Sequence, residues 1–449
     1  MIEVMKITFL FTLLFLCAAT AKAQWAEQNA GFTGKTLGFY EISIVNENVV
    51  WAICYDGVNG LGSSTPILEF TRTTNGGATW TPGLVGNDTS LAFSNICALS
   101  DTEAWVAMHK IDFSTGGGLF HTTDGGATWQ QSNPGVVFNN GSFPNFVYFK
   151  DALHGIAGGD ANGGYFEIYT TSDGGINWTR TPQANIPEPL SGGQYGWFDG
   201  YAAVGDTVWF GTNLGQMYKS TDFGQTWTVN TVDPAMSTVY EIAFNDDGLH
   251  GLTNIRTPNN TVILFSTTDG GVTWTQMAPH PNWKRSRVTS VPGTSIFVST
   301  SVIYPNRGSS YTTDNGATWI IIDSSIQKAA CRFLNSTTGW AGGYFNDINP
   351  NAPMSGGLWK FDNTVPLGIV DNEVTAFYIS PNPVADVLNI SVGSDLPLDD
   401  FRFYNSVGAL VMEVSNSNGE SIDVSGLSSG VYLIKSKNYP GLNQKFIKL

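Results

Sequence analysis

The sequence predicts an all-β protein, and three observations carry this prediction: the composition, a repeated eight-residue segment, and a separate set of short strands near the C-terminus. The chain has 449 residues, of which 51 are glycine and 14 are tryptophan, while only 13% are charged. A disordered chain would hold few aromatic residues, and a coiled coil would be rich in Ala, Glu, Lys, Leu and Arg. The composition excludes both classes and favours short strands joined by many tight turns.

The chain is acidic, with 21 Lys and Arg against 37 Asp and Glu and a formal net charge of -16. Nucleic-acid binding needs Lys and Arg to neutralise phosphates, so we expect no nucleic-acid partner. No zinc motif, phosphate loop or EF-hand loop occurs, so we expect neither a metal site nor a cofactor. Beyond the N-terminal segment the cysteines are Cys54, Cys97 and Cys331, an odd and scattered set that favours buried thiols and leaves their disulfide state open.

The N-terminal segment has the features of a secretory signal peptide. Lys6 precedes an apolar run over residues 7–19, and Ala21-Lys22-Ala23 forms a small-x-small cleavage site. We therefore expect residues 1–23 to be removed and the protein to be secreted or held at the outer cell surface. A lipoprotein alternative would use Cys17, but Leu16 before it is larger than the residue usual there. No later segment is long and apolar enough to predict a membrane span.

A repeated segment organises most of the chain. Six copies follow the pattern Thr/Ser-Thr/Ser-Asp/Asn-x-Gly-x-Thr/Asn-Trp, and their tryptophans lie 45 to 49 residues apart. An alternating apolar strand precedes each copy, the Asp-x-Gly step turns the chain, and the Trp opens the next strand. We expect the carboxylate to accept hydrogen bonds from N–H groups two or three residues on, and Gly to take the positive φ that the turn needs. The copies lie at residues 73–80, 122–129, 171–178, 220–227, 267–274 and 312–319.

The recurrence of these residues argues for a structural role, because a catalytic site is made once whereas a turn is made in every repeat. The segments resemble the Asp-box, or BNR, repeat of secreted β-propellers. The residues predicted to hold these turns are Asp124, Asp173, Asp222, Asp269, Asp314, Trp80, Trp129, Trp178, Trp227, Trp274 and Trp319.

A second element, a Gly/Trp-x-Ala-like strand, occurs seven times and resembles the repeat of photosystem II assembly-factor-like propellers. Its last copy, at Trp340, is followed by no Asp box, whereas the segment at Trp25 looks like the strand that follows one. These half-repeats predict that Trp25 pairs beside residues 358–361 and completes the last blade. The predicted architecture is a seven-bladed β-propeller over residues 24–362, closed by the N-terminal strand so that its sheet edges are hidden.

Residues 377–449 carry a different pattern of short alternating strands, which predicts a small immunoglobulin-like β-sandwich after a linker at residues 363–376. A Pro-Asn-Pro, a Leu-x-x-Gly-Val-Tyr and a Lys-Phe-Ile-Lys segment follow in this order and together resemble the type A sorting domain of the type IX secretion system. The resemblance implies export through the outer membrane, with the type IX machinery as a partner. An ordinary adhesive sandwich is the alternative. The implied signal residues are Pro381, Asn382, Pro383, Gly430, Tyr432, Lys445 and Lys448.

Candidate ligand residues lie on irregular loops. If the Asp box joins the third and fourth strands of a blade, the binding loops are those between strands two and three and those between blades; residues 56–66, 181–197 and 346–355 are the irregular ones. Tyr195 and Trp197 are candidates for stacking on a sugar, with core packing as the alternative. Residues 280–287 are the one basic and aromatic cluster and are either an anion clamp or a solvated loop. The cluster supplies Trp283, Lys284, Arg285 and Arg287.

Two classes of function remain open. The first is a secreted or cell-surface propeller without catalytic residues, expected as a monomer, that binds a glycan or a protein. The second is a polysaccharide-active glycoside hydrolase, since sialidases and xyloglucanases also carry Asp-box propellers. Sialidases need an arginine triad, and xyloglucanases place paired Asp residues between two propellers, whereas only one propeller fits this chain. A hydrolase would show two carboxyl groups roughly 5–10 Å apart in a cleft.

Overall fold

Nearly all regular structure in the chain is β-strand. The computed structural model describes residues 24–32, 37–57, 65–139, 141–302, 306–343, 357–362, 377–392, 400–406, 408–414, 421–436 and 443–449. The predicted signal peptide with Cys17, the predicted linker and the loop at 346–355 lie outside these residues, as does most of the loop at 56–66. The described part contains one short 3-10 helix, and none of its helices has the length and apolarity of a membrane span.

The chain divides into two compact units, Met1–Gly368 and Ile369–Leu449. The described residues of the N-terminal unit form seven four-stranded antiparallel sheets, which we number I to VII. Sheet VII combines β1 (Trp25–Gln28), at the start of the unit, with three strands from its end. Sheets I to VI each use four consecutive strands.

The bounds of the strands are as follows. Sheet I has β2 (Leu37–Ile44), β3 (Val50–Asp56), β4 (Glu69–Thr73) and β5 (Thr81–Leu84); sheet II has β6 (Leu91–Ala98), β7 (Ala104–Lys110), β8 (Gly117–Thr122) and β9 (Gln130–Gln131); sheet III has β10 (Pro144–Phe149), β11 (Gly155–Ala161), β12 (Phe166–Thr171) and β13 (Thr179–Arg180). Sheet IV has β14 (Gly196–Val204), β15 (Thr207–Thr212), β16 (Gln216–Ser220) and β17 (Thr228–Thr231), with the 3-10 helix (Gln183–Asn185) before it. Sheet V has β18 (Thr238–Phe244), β19 (Gly251–Arg256), β20 (Val262–Thr267) and β21 (Thr275–Gln276); sheet VI has β22 (Arg287–Ser290), β23 (Phe297–Ser301), β24 (Gly308–Thr312) and β25 (Ile320–Asp323); sheet VII adds β26 (Ala330–Phe333), β27 (Thr338–Gly342) and β28 (Leu358–Asp362).

Two faces follow from this strand order. Antiparallel pairing of neighbours puts the hairpins between first and second strands, and between third and fourth strands, at one edge of every sheet, which we call the turn face. The loops between second and third strands, and the connections to the next sheet, lie at the opposite edge, which we call the loop face. Irregular loops and repeated turns are therefore on opposite faces.

The first strands of the sheets, here called the inner strands, contact one another in cyclic order, and β26 of sheet VII contacts β2 of sheet I. A buried apolar cluster lies between each pair of consecutive sheets. The second strands supply its largest side chains, because the predicted Gly/Trp-x-Ala elements lie there. The fully buried tryptophans are Trp51, Trp105, Trp209 and Trp340.

Strand β1 pairs with β28 as the two half-repeats predict. The register places Trp25 opposite Phe361 and Gln28 opposite Leu358. The indole N–H of Trp25 donates to the Ser309 hydroxyl at 3.0 Å, which ties β1 to sheet VI as well. The N-terminal strand is therefore held by backbone pairing and by a buried side chain.

The described residues of the C-terminal unit form two sheets around one buried core. Apolar side chains alternate along the longer strands, with Phe401 and Phe403 of one sheet and Leu388 and Ile390 of the other pointing into the shared cluster. The first sheet contains β29 (Phe377–Ser380), β30 (Val387–Val392) and β33 (Ile422–Asp423), and the second contains β31 (Phe401–Asn405), β32 (Leu410–Val414), β34 (Gly430–Ser436) and β35 (Asn443–Lys448).

Candidate functional site

The six repeat segments are turns between the third and fourth strands of sheets I to VI, and they share one hydrogen-bond pattern. In the second turn the Thr122 hydroxyl donates to Asp124 and accepts from the N–H of Gly126, both at 2.9 Å. Asp124 accepts from the N–H of Thr128 at 2.9 Å. In all six turns this N–H lies four residues after the acceptor, which is Asn75 in the first turn and an aspartate in the other five. The donors expected two residues on are absent from the described turns, and donors three residues on occur at Gln225 and Val272.

Hydrogen bonds within these turns hold the carboxylate groups of the aspartates. Hydrogen bonds from the hydroxyl and N–H of Thr128 and from Thr122 lower the pKa of Asp124 to about 2, so the carboxylate stays ionised at neutral pH. A general acid needs a pKa near the working pH, which this environment does not provide. The turn tryptophans divide into two groups: Trp227, Trp274 and Trp319 each donate to a Gly carbonyl three residues back, whereas the indole N–H groups of Trp80, Trp129 and Trp178 find no acceptor among the described residues.

The candidate sorting residues lie together around the last strand. Gly430, Tyr432 and Leu433 of β34 pair with Lys448, Phe446 and Lys445 of β35. The side chain of Asn382 bridges the outer edge of β35, since its amide donates to the Lys445 carbonyl at 3.0 Å and its oxygen accepts from the N–H of Ile447 at 2.9 Å. Asn382, between Pro381 and Pro383, thus supplies the hydrogen bonds that a neighbouring strand would otherwise supply to that edge.

The basic and aromatic cluster at residues 280–287 is not one exposed patch. Trp283 is buried between sheets V and VI, and of the four candidate side chains only that of Arg285 is exposed. Lys284 is buried and donates to the Arg307 carbonyl at 2.9 Å, while the guanidinium of Arg287 is held by carboxylates of the protein itself. The expectation of a shared anion clamp is therefore corrected for Trp283, Lys284 and Arg287, because packing between the sheets turns these three side chains inward.

A charged cluster occupies the inner strands of five sheets. Arg287 Nη1 lies 3.0 Å from Asp199 Oδ2 and 2.6 Å from Glu241 Oε1. Arg332 Nη2 lies 2.8 Å from Glu41 Oε1 and 3.3 Å from Asp199 Oδ2. We define the charged cluster as Glu41, Asp199, Glu241, Arg287 and Arg332. Its three carboxylate side chains are at most 7% exposed, whereas Arg332 is 30% exposed.

The electrostatics of the cluster require a proton. Two guanidinium groups face three carboxyl groups, which leaves one uncompensated negative charge if all three are ionised. Burial raises the pKa of Glu41 well above its usual range and raises that of Glu241 to about 8. A side-chain hydrogen bond between Glu41 and Asp199 raises the pKa of Glu41 further, whereas the charge of Arg287 lowers that of Glu241. We therefore expect the folded cluster to bind one proton, shared between Glu41 and Glu241, which makes the cluster neutral.

Tyr195 and Trp197 lie at the start of β14, on the loop face. Between the pairs Gly196–Thr212 and Tyr201–Phe210 the strand bulges, so the four residues between them are free of regular pairing. Tyr195 is exposed and Trp197 is half-buried, with its ring stacked on Phe198 at 5.1 Å. The next residue, Asp199, takes a left-handed φ of 57° and is fixed by the two arginines of the charged cluster. The cluster thus holds the bulge that presents these rings.

An aromatic surface lies beside this bulge on the loop face. The imidazole of His109 is nearly parallel to the rings of Phe143, Phe113 and Phe198, at centroid distances of 4.9, 5.5 and 5.6 Å. Phe113 is 53% exposed, and Phe143 and Phe198 are half-buried. These side chains come from sheet II, from the connection to sheet III and from sheet IV. We define the aromatic surface as His109, Phe113, Phe143, Trp197 and Phe198.

Phe113 has a φ of 58°, which is costly for a bulky residue and is found where the surroundings enforce it. Its loop joins the second and third strands of sheet II, the class of loop predicted to bind ligands. The sequence predicts Trp197 and Tyr195 as candidates but not His109, Phe113 and Phe143, since only the packing of separate sheets brings these rings together.

The charged cluster was also missed, although the sequence contains a signal for it. Tyr40-Glu41-Ile42, Ser94-Asn95-Ile96 and Tyr240-Glu241-Ile242 occupy matching places in three inner strands. A bulge precedes the polar residue each time, at Tyr40, Ser94 and Tyr240. A polar residue recurring inside an apolar strand indicates a shared buried network.

The chain is similar in fold to solved β-propellers. The structure of YCF48 from Cyanidioschyzon merolae has 16% sequence identity and a TM-score of 0.52, and the match covers 75% of this chain and 98% of that chain. A structure of YCF48 bound to D1 peptide has 16% identity and a TM-score of 0.48 over 76% and 97% of the two chains. The GH74 enzyme of Niastella koreensis has 13% identity and a TM-score of 0.43 over 91% and 65%. The likeness to YCF48 shows a β-propeller-like all-β fold.

No curated protein matches the chain. At its C-terminal end, residues 378–448 match the family model of the secretion system C-terminal sorting domain. The match contains β30 to β35 and the bridging residue Asn382, and it agrees with the resemblance that the Pro-Asn-Pro, Gly-Val-Tyr and Lys-Phe-Ile-Lys segments indicate. This domain marks proteins that the type IX secretion system exports to the cell surface or the exterior, and the chain carries it as its C-terminal domain.

Proposed function

We propose that this chain is an exported, non-catalytic seven-bladed β-propeller that binds a glycan or a protein at the aromatic surface. Its blades are sheets I to VII, its Asp boxes are the six repeat turns, and residues 1–23 are its cleaved signal peptide. The cyclic contacts of the inner strands and the pairing of β1 with β28 support seven blades in a closed ring. We further propose domain boundaries at residues 24–362 and 377–449, an immunoglobulin-like fold for the second domain, and a monomeric protein.

One observation carries the location of the binding site. The rings of Phe113, Phe143 and Phe198 stand on three separate chain segments and meet around His109 on the loop face. Exposed aromatic side chains that are held rigidly contribute a large share of binding energy in recognition sites. A platform assembled from distant segments is also preorganised, so little conformational entropy is lost when a ligand binds.

The carboxyl groups of the charged cluster favour binding over hydrolysis. A glycoside hydrolase needs two carboxyl groups that face the substrate roughly 5–10 Å apart. Among the described residues, the carboxyl groups that converge on the inner strands are those of Glu41, Asp199 and Glu241, which two arginines and one bound proton neutralise inside the protein. These carboxyl groups thus have a structural role, since the charged cluster holds the bulge that carries Trp197 and Phe198.

The test compares the full chain with a double variant, Phe113→Ala and Trp197→Ala, on an array of glycans and of purified secreted proteins. Ile176→Ala is the matched control, since Ile176 is an exposed apolar side chain of a repeat turn on the turn face. We expect the double variant to lose at least tenfold in affinity for the ligand that the unmodified chain binds, and the control to retain it. Equal binding by the double variant, or release of reducing ends from a polysaccharide, would contradict the proposal.

A further inference from the structure

The buried histidine of the aromatic surface has a defined tautomer. Ser94 Oγ lies 2.6 Å from the carbonyl oxygen of Pro144, which can only accept, so the single hydroxyl proton of Ser94 is donated there. His109 Nδ1 lies 2.9 Å from the same Ser94 Oγ. Because that hydroxyl has no proton left to give, Nδ1 must donate to it. Burial lowers the pKa of His109 to about 4, so at neutral pH the ring holds this one proton only. His109 Nε2 therefore carries a free lone pair.

This lone pair lacks a partner in the described part of the chain. His109 is only 4% exposed, and Ser94 is the one hydrogen-bond partner found for its ring among the described residues. Although most of the residue is buried, Nε2 itself is open to solvent, so the donor group of a ligand can reach it in place of water. The rings of Phe113, Phe143 and Phe198 lie at 22° to 25° to the imidazole plane with centroids 4.9 to 5.6 Å away, so a group bound at Nε2 lies next to aromatic rings.

We propose that the aromatic surface binds an uncharged saccharide, with one sugar hydroxyl donating to His109 Nε2 and the C–H face of a sugar ring packing on Phe113 and Trp197. This rests on the proposed function and names the ligand class for its site. A sugar ring combines hydroxyl donors with an apolar face, as the site requires. Lys110 and Asp112, which lie beside His109 and Phe113, carry opposite charges, and the charges of the charged cluster are paired with one another. The chain carries a net charge of -16, which disfavours acidic glycans.

The experiment uses the full chain and titration calorimetry, after a glycan array that contains neutral β-glucans, mannans, xylans and galactans beside oligogalacturonates and sulfated oligosaccharides. We expect binding to at least one neutral oligosaccharide and none to the acidic ones. Phe113→Ala, which alters an exposed ring, is expected to weaken that binding at least tenfold. His109→Phe keeps the ring but removes the acceptor and is expected to weaken it about as much, while His109→Gln, which restores an acceptor, is expected to recover part of the loss.

Ile176→Ala on the turn face is the control and is expected to bind as the unmodified chain does. Thermal unfolding of each variant shows whether a loss of affinity reflects a loss of structure, and Phe113→Ala keeps the test valid if a His109 variant does not fold. Absence of binding to every neutral glycan, preference for acidic ones, or neutral binding unchanged in Phe113→Ala would overturn the proposal. A protein ligand that binds this surface, with no glycan bound, would overturn the saccharide and leave the proposed function standing.

Discussion

The charged cluster and the aromatic surface meet at residues 197–199, yet they differ in how far their side chains are exposed to solvent and paired with one another. In the charged cluster three carboxyl groups and two guanidinium groups satisfy one another inside the protein, and Arg332 is its most exposed side chain. In the aromatic surface Phe113 is about half exposed, and Nε2 of the largely buried His109 is open to solvent without a partner among the described residues. This difference shows that a cluster of polar side chains does not by itself indicate a binding site in this protein. Exposed aromatic rings beside a hydrogen-bond acceptor without a partner are the better indicator.

The largest expected effect comes from breaking the charged cluster. Arg287→Ala leaves Glu241 and Asp199 buried without their main counter-charge, and removing one partner of a buried ion pair typically costs about 3–5 kcal/mol. Chemical denaturation of the full chain measures the loss. Arg285→Ala, two residues earlier and exposed, is the matched control and should change the free energy of unfolding by less than about 0.5 kcal/mol. Similar small effects in both variants would show that the cluster is not structural.

The next effect tests the proposed closure of the propeller by the N-terminal strand. Trp25 is buried on β1, its N–H donates to Ser309, and the Lys328 ammonium lies 5.0 Å from its ring centroid. Trp25→Ala is expected to lower the free energy of unfolding by about 3 kcal/mol, since it removes a large buried side chain. Gln28→Ala, at the other end of β1, serves as the control. A loss below about 1 kcal/mol for Trp25→Ala would contradict closure by the N-terminal strand.

The two regions should also respond to pH with opposite sign. The pKa of Glu241 is raised to about 8 from 4.5, so the folded state binds the extra proton and its contribution to stability falls as pH rises from about 4.5 to 8. The pKa of His109 is lowered to about 4 from 6.5, so the unfolded state binds the extra proton and stability falls as pH drops from about 6.5 to 4.

Denaturation curves at a series of pH values check both slopes. Glu241→Gln should remove part of the loss on the alkaline side and leave the acid side unchanged, whereas His109→Phe should do the reverse. Identical pH profiles for the two variants would contradict the assignment of these slopes to the two regions.

The smallest expected effect lies in the sorting domain, outside both regions. Asn382→Ala removes the two hydrogen bonds that bridge the edge of β35, which should cost about 1–2 kcal/mol. We expect less exported protein and more retained in the cell, measured by fractionating the producing bacterium. Asp386→Ala, on the segment just after the motif, is the control. Export of Asn382→Ala at the unmodified level would show that the bridge is dispensable.

The sequence predicted those parts of the fold that repeat. Each turn is local, so its residues can be recognised without knowing what lies across the sheet, and the two half-repeats predicted the pairing of Trp25 with Phe361. The sorting domain was likewise predicted from segments that keep their order in the chain.

The candidate site was predicted only in part, because its residues meet through the packing of distant sheets. Trp197 was identified, but the ring of Phe113 lies 84 residues earlier, and no local pattern links the two. Lys284 and Arg287 misled the prediction, since a basic run suggests solvent exposure while inner-strand packing turned both inward. The tautomer of His109, which decides what the site accepts, depends on a carbonyl oxygen of a neighbouring sheet.

Hydrogen–deuterium exchange of the full chain with and without its bound oligosaccharide tests the location of the binding site most directly. The account predicts slower exchange on the loop face, at residues 110–116 and 195–199, and unchanged exchange at residues 280–286 and in the six repeat turns. Slower exchange in the repeat turns, with residues 110–116 and 195–199 unaffected, would place the ligand on the turn face and contradict the account.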